Sequence, residues 1–489
     1  MNDVLLLILV TVPATAAGVI LVIPSSRPGA IKGTALLFAT VGLAFSVMTF
    51  VAYDHAEAGF QFQRQWQWIE SLGVTVHFGV DGISAIMVLL TGIVMFTGVV
   101  MSWSIEKRLK EYFFLFMILL TGVYGTFVSL DLFFLFFFYE LAVLPMYLLI
   151  AVWGSTRKEY GALKLVLYLV GGSVLVWIAL IAVYAEASLG TFNLLALQEV
   201  EFAKDFQNIF FPLFLIGFGV LAGLWPFHTW SPDGHAAAPT AVSMLHAGVL
   251  MKLGAYGIIR VGMTLFPEGV AHWQVLFISL ATVNVVYGSL AAMAQRDLKY
   301  IVAYSSVAHM GLVLMGLATL DRTGMSGAVL QMFSHGIMTA LFFAVVGIIY
   351  DRTHTRDIDL LQGLSKRMGL AAVLFIFAGL TSLGMPGLSG FVAEVLVFVG
   401  AFRTFPVAGV FGVIAAMLTA VYILRLIAKV FYGPLDDRWQ GIQDAAPHEV
   451  FAGVLLVIML VLVGVYPAPF LDVINSGVDT LAAGLGVGE

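Results

Sequence analysis

Five ionisable residues, Glu140, Lys252, His309, His335 and Glu394, sit in runs of sequence that otherwise read as hydrocarbon. Glu140 is the extreme case, following Leu132-Phe133-Phe134-Leu135-Phe136-Phe137-Phe138-Tyr139. A charge at the centre of a bilayer costs roughly 2.5–3.5 kcal/mol on insertion scales, so such residues face a bundle interior or water and mark functional positions. Histidine changes charge near neutral pH, and the charge state of a buried carboxyl or amine group is set by its neighbours. Acids, a lysine and histidines together therefore point to a proton route. Structural readings compete with that one: interhelical hydrogen bonds for the histidines and a snorkelling end residue for Glu394.

The elements that must position these residues are membrane helices. Hydrophobic residues make up 61% of the chain and charged ones 11%, with a mean hydropathy of +1.01, well outside the soluble range. With about 20 apolar residues per crossing, the chain divides into roughly fourteen transmembrane helices. The expected class is an all-α polytopic membrane protein. The first apolar segment, Val4 to Ile23, has no basic residue ahead of it and is long enough to span, so it reads as a retained helix and not a cleaved signal. Lysine and arginine concentrate in the loops on one side, among them Lys107, Arg108, Lys110, Arg157, Lys158, Lys164 and Lys299. The opposite loops carry Arg64, Lys204, Arg260, Arg322 and Arg403. The positive-inside rule then puts both termini outside the cytoplasm, and Arg157, Lys158 and Lys164 read as topology determinants.

Composition also excludes chemistries. The absence of cysteine removes thiolate iron–sulfur ligation and disulfides. No phosphate-binding glycine loop is present, and a net charge of −6 argues against a nucleic-acid partner. No cofactor or metal is expected; haem ligation by facing histidines is not selected by their spacing.

Two membrane segments contain helix breakers. Segment 7 includes Gly217, Gly219, Gly223 and Pro226, and segment 12 reads Leu383-Gly384-Met385-Pro386-Gly387-Leu388-Ser389-Gly390. Proline removes a backbone donor, and interrupted backbone at membrane depth is tolerated only where protein buries it or water reaches it. In transporters, paired interruptions in two halves mark the transport pathway. The spacing suggests five-helix repeats. The chain then divides into residues 1–110 with three helices and an outer-side hairpin near 54–83, residues 111–265 and 266–435 as the two repeats, and 436–489 with the fourteenth helix. The hairpin follows from the period-two pattern of Phe60, Phe62, Trp66, Trp68, Val74, Val76 and Phe78. Its aromatics suit interfacial anchoring or contact with a neighbouring subunit. Asp131 reads as the N-cap of segment 5. His228 and His235, flanking Pro232-Asp233-Gly234, read either as a proton mouth or as residues that hold the turn.

The run from Trp225-Pro226-Phe227-His228 to Asp233-Gly234-His235-Ala236-Ala237-Ala238-Pro239-Thr240 resembles the signature of the antiporter-like subunits of respiratory complex I. Arg352-Thr353-His354-Thr355-Arg356-Asp357-Ile358-Asp359, the segment 12 breaker run and Gly79-Val80-Asp81-Gly82-Ile83-Ser84 are similar to the subunit M branch, the counterpart of mitochondrial subunit four. The resemblance covers about residues 79–432. It implies fourteen helices, inverted five-helix repeats with broken helices 7 and 12, and proton translocation coupled to quinone reduction elsewhere in an NADH:quinone oxidoreductase. It further implies that Glu140, Lys252, His309, His335 and Glu394 are the proton-transfer residues of segments 5, 8, 10, 11 and 12. Expected partners are other membrane-arm subunits and the lipid of a bacterial inner membrane.

One position departs from the resemblance. The family places a lysine in segment 7 to partner the segment 5 glutamate, and here that position is Leu221. His246, in Ser243-Met244-Leu245-His246-Ala247-Gly248, stands where subunit M usually has an apolar residue. His246 and Lys252 are expected to supply the missing site together, although six residues put them about 9 Å apart along a helix and on different faces. Three alternatives stay open: a cation/proton antiporter subunit, a membrane-arm subunit of an energy-converting hydrogenase, and a non-pumping scaffold.

Overall fold

The structure, a computed structural model, describes residues 4–487. Helices α1 (Leu5–Val22) and α2 (Pro28–Ala52) precede an antiparallel hairpin of β1 (Gln61–Ile69) and β2 (Val74–Val80). Then come α3 (Gly82–Met101), α4 (Leu109–Val128), α5 (Leu132–Trp153), α6 (Lys158–Ala187) and the short α7 (Leu194–Gln198). Segment 7 is α8 (Lys204–Ala222) with α9 (Trp230–Ala237), and segment 8 is α10 (Thr240–Leu245) with α11 (Met251–Gly257). The chain continues through α12 (Pro267–Ala294), α13 (Leu298–Ala318), α14 (Arg322–Thr353), α15 (Gly369–Ser382), α16 (Ser389–Thr404), α17 (Pro406–Phe431), α18 (Pro447–Val465) and α19 (Ala468–Gly484).

Among the described residues, 13 helical stretches are long and apolar enough to cross a membrane. Segment 12 falls outside that number because it is two helices of 14 and 16 residues, α15 and α16. The protein is thus a multi-pass helical membrane protein.

Burial sorts the helices into a centre and a rim. The stretch Thr240–Met263 and α14 are wholly buried in their apolar windows, whereas α2 is 28% and α18 33% buried. α14 lies against α3, α10, α13, α15, α16, α18 and α19. The polar residues singled out in segments 8, 10 and 11 therefore ride on elements screened from lipid, as the cost of exposing them requires.

Helix starts are fixed by aspartates. Asp81, Asp131, Asp297 and Asp321 accept hydrogen bonds from backbone N–H groups in the first turns of α3, α5, α13 and α14. A cap satisfies donors that have no partner inside the helix. Asp131 additionally accepts from the Thr75 backbone N–H at 3.0 Å and so ties the hairpin to α5. The same hairpin leaves Trp66 and Trp68 exposed on β1, with Trp68 against Phe133 and Phe134.

The carboxyl-terminal region differs from the expectation of one helix. A turn at Pro467 separates α18 from α19, which packs on α3 and α14. Arg322 donates to Asp479 Oδ2 at 2.7 Å and Ser326 to Asn475 at 2.7 Å. α19 escaped the hydropathy reading because Asp472, Asn475 and Asp479 interrupt its apolar character.

Candidate functional site

The interior site is assembled where helices stop being regular. α8 ends at Ala222, and Gly223 follows at φ +79, where a side chain would be strained and would meet Met251 Cε at 2.7 Å. The backbone groups freed by this break are taken up locally. Trp230 Nε1 donates to Val220 O at 2.8 Å, and Asn284 Oδ1 accepts from the Trp225 backbone N–H at 2.9 Å. That is the condition for a broken helix at membrane depth. Segment 8 carries a π-helical turn at His246–Leu250, a form that often accompanies functional sites.

Lys252, His335, His309 and Glu394 lie in one file, hydrogen-bonded from Lys252 to His335 and linked to His309 by adjacent rings. Lys252 Nζ donates to Ala247 O at 2.6 Å and to His335 Nδ1 at 2.8 Å. The rings of His335 and His309 lie 5.4 Å apart, and His309 Nδ1 is 3.5 Å from Glu394 Oε1. Gln331 Nε2 donates to the same His309 nitrogen at 3.1 Å, while His309 Nε2 pairs with Ser382 Oγ at 2.9 Å. All four file residues are 5% exposed or less. With Nδ1 of His335 accepting from Lys252, its own proton sits on Nε2, assigned from the network. Gln331, one turn before His335 on α14, reaches across to His309.

The second break makes room for the terminal acid of the file. α15 stops at Ser382, Gly384 adopts φ +70, and α16 begins at Ser389. Glycine is favoured there by conformation, and a Cβ on Gly384 would lie 2.7 Å from Glu394 Oε2, so the carboxylate would have to move to admit it. Glu394 is 5% exposed in the bundle, which disposes of the snorkelling reading.

A second polar group adjoins the file from segment 7. His235 and His246 are fully buried with ring centroids 4.2 Å apart, and His246 stacks on Trp230 at 5.2 Å. His246 and Lys252 make no direct hydrogen bond among the described residues; His235 lies in electrostatic range of both. Among the described residues, no protein group partners either ring nitrogen of His228, His235 or His246. Buried polar groups need partners, and in a polar site ordered water can fill that role.

On the side rich in lysine and arginine, a polar cluster surrounds α9. Lys164 meets Asp233 Oδ2 at 2.7 Å, and the Tyr300 hydroxyl donates to Asp233 Oδ1 at 2.9 Å. The α9 carbonyls beyond are capped by Arg356, which donates to Ala236 O at 2.8 Å, and by Lys299, which donates to Ala238 O at 2.6 Å. Lys164 and Lys299 thus serve more than topology. Arg260 is likewise no loop charge: it is 5% exposed, 2.6 Å from Asp81, at the floor of a cavity of about 1020 Å³ on the hairpin side. Nothing in spacing alone distinguished these cations from loop charges, because each lies at the edge of an apolar run.

Glu140 stands apart from the file. The Ser173 hydroxyl donates to its carboxylate across the α5–α6 contact, and no cation partners it among the described residues. The carboxylate is half-buried, on the stripe of α5 that also carries exposed Phe137 and Leu144. Leu221 is fully buried.

Residues 129–419 match the family model described as NADH:quinone oxidoreductase/Mrp antiporter, TM. Over 98% of its length the chain is 38% identical to NADH-quinone oxidoreductase subunit M of Rhodobacter capsulatus, covering 96% of that protein. The chain belongs to the NADH-quinone oxidoreductase subunit M family. A second relative, NAD(P)H-quinone oxidoreductase chain 4 of Gloeobacter violaceus, is 34% identical over 97% of this chain and 92% of its own. Among solved structures, a chain of respiratory complex I from Thermus thermophilus with bound NADH superposes with a TM-score of 0.91 at 26% identity, with both chains covered in full. A chain of the Mrp complex from Dietzia sp. reaches 0.88 at 20% identity over 100% of this chain and 99% of that one, a likeness of fold. In this subunit M family member the lysine–histidine–glutamate file occupies the matched region, and so do both helix breaks.

Proposed function

We propose that the chain is a proton-translocating membrane-arm subunit of a complex I-type NADH:quinone oxidoreductase, without redox chemistry of its own. The observation that carries this reading is the file of adjacent buried groups from Lys252 through His335 and His309 to Glu394, beside the two helix breaks of a subunit M-family chain.

In this reading protons enter on the basic side past His228 and the Asp233 cluster, pass His235 and His246, and load Lys252. Each later step moves one proton to the adjacent group, because an added charge changes the proton affinity of its neighbour. Glu394 receives the proton last and releases it on the hairpin side. Glu140 supplies a separate acid at the α5–α6 contact, where it acts on the file through space. Residues 111–265 and 266–435 act as two inverted repeats that meet at the file. The basic side faces the cytoplasm, both termini lie outside, and the membrane is the bacterial inner membrane. Neighbouring membrane subunits of the same assembly and the surrounding lipid cover the rim helices.

The test is extraction of the tagged chain from its native membrane in mild detergent, with mass spectrometry of what accompanies it. Flavin and iron–sulfur subunits that oxidise NADH with quinone are the expected companions. Recovery with antiporter subunits alone, or with a nickel–iron hydrogenase module, would overturn the assignment.

A further inference from the structure

The interior holds two buried lysines in matching settings. Lys252 Nζ donates to Ala247 O and Lys299 Nζ to Ala238 O, both at 2.6 Å, and the residues are 0% and 4% exposed. His246 lies between the two accepting carbonyls in sequence, His235 lies three residues before the first of them, and the two rings touch each other in space. His235 is in electrostatic range of both lysines. Lys299 thus stands to the histidine pair on the basic side as Lys252 does on the file side.

Its surroundings leave Lys299 without a counter-ion in contact. The Asp297 carboxylate is engaged by Arg356 at 3.0 Å and by the first turn of α13. The charged groups that face the amine are Asp297 on the cap of its own helix, Arg356 from the following loop, Asp351 from α14 and His235 from α9. Among the described residues, none of these carboxylates comes within 4.0 Å of Nζ. A residue serving only to cap Ala238 O needs no more than an N–H donor, which arginine supplies as well as lysine. A lysine enclosed in protein can instead give up its proton, which arginine cannot do.

We propose that Lys299 is a proton-relay residue that loads the His235–His246 pair from the basic side. The step moves one proton from Nζ to a His235 ring nitrogen and leaves a neutral amine, which is reprotonated from the aqueous phase. The charge then passes to His246 and Lys252. This inference rests on the translocation reading above.

The test uses the intact complex in native membranes, comparing NADH-driven acidification with NADH oxidation. Lys299→Arg keeps the charge and the carbonyl hydrogen bond but not the exchangeable proton, and is expected to lower acidification per NADH on the order of ten-fold. Wild-type acidification by Lys299→Arg, with loss only in Lys299→Met, would make the lysine a cap and overturn the relay. If the arginine variant does not assemble, Lys299→His decides. It places a group with an ordinary value of ~6.5 at the site, and the pumping optimum should move to lower pH; an unmoved profile overturns the proposal. Lys252→Met measured alongside separates the two claims: wild-type pumping there would sink translocation itself, whereas a silent Lys299→Arg beside an impaired Lys252→Met sinks the relay alone.

Discussion

The two intramembrane glutamates occupy opposite kinds of environment. Glu394 lies inside the bundle, 3.5 Å from His309, in space that Gly384 leaves open at the second helix break. Glu140 lies at the α5–α6 rim with a serine hydroxyl for company, and Leu221 fills the position where the family resemblance calls for a lysine. The same residue type is joined to the file in one half and detached from it in the other. The connected polar groups therefore lie at the centre and in the second half, and the first half contributes Lys252 and its histidines to them, not its acid.

Removing the junction of the file should have the largest effect. His309→Leu deletes the partner of Glu394, Ser382 and Gln331 at once, and acidification per NADH is expected to fall to background while NADH oxidation by the assembled complex persists. Retained pumping would show that the two halves do not communicate through His309. Glu394→Gln keeps shape and hydrogen bonding but cannot cycle a proton, so a loss on the order of ten-fold is expected. Gly384→Ala adds a Cβ into the carboxylate and forces alanine to φ +70, with a strain of about 1–3 kcal/mol and a smaller, several-fold loss of pumping. Thermal stability of the purified complex should drop alongside.

The comparison is sharpened at its weak end by Glu140→Gln, whose effect should be smaller than that of Glu394→Gln when measured in the same membranes. An equal or larger effect would mean that Glu140 is coupled without its lysine. Leu221→Lys then offers a double-mutant cycle: if the family pairing is restored, Glu140→Gln should become more damaging in that background than in the native chain.

Much of this arrangement was legible in the sequence. Intramembrane charge is costly enough that Lys252, His309, His335 and Glu394 announced themselves, and glycine and proline clusters lie where α8 and α15 stop. Asp131 caps α5 as its position before an apolar run suggested. Lys299, Lys164 and Arg260 were hidden among ordinary topology charges, because whether a cation at a helix end points to water or into the bundle is decided by packing across the chain. Lys299 reaches Ala238, distant in sequence. His235 reads from sequence as either part of a mouth or a residue that holds the turn; its contact with His246 depends on the break after α9 and on the space beside Gly234, where a Cβ would sit 3.1 Å from the His246 ring. α19 was missed because an amphipathic helix buried against α3 and α14 carries too little apolar character for a hydropathy reading.

The most direct test of the file is Lys252→Met in the purified complex reconstituted into liposomes, with protons moved per NADH oxidised as the readout. Methionine fills the buried space and removes both hydrogen bonds of the amine. The file as described requires fewer protons per NADH than in the native complex, with the quinone chemistry still running. An unchanged ratio would contradict passage through Lys252.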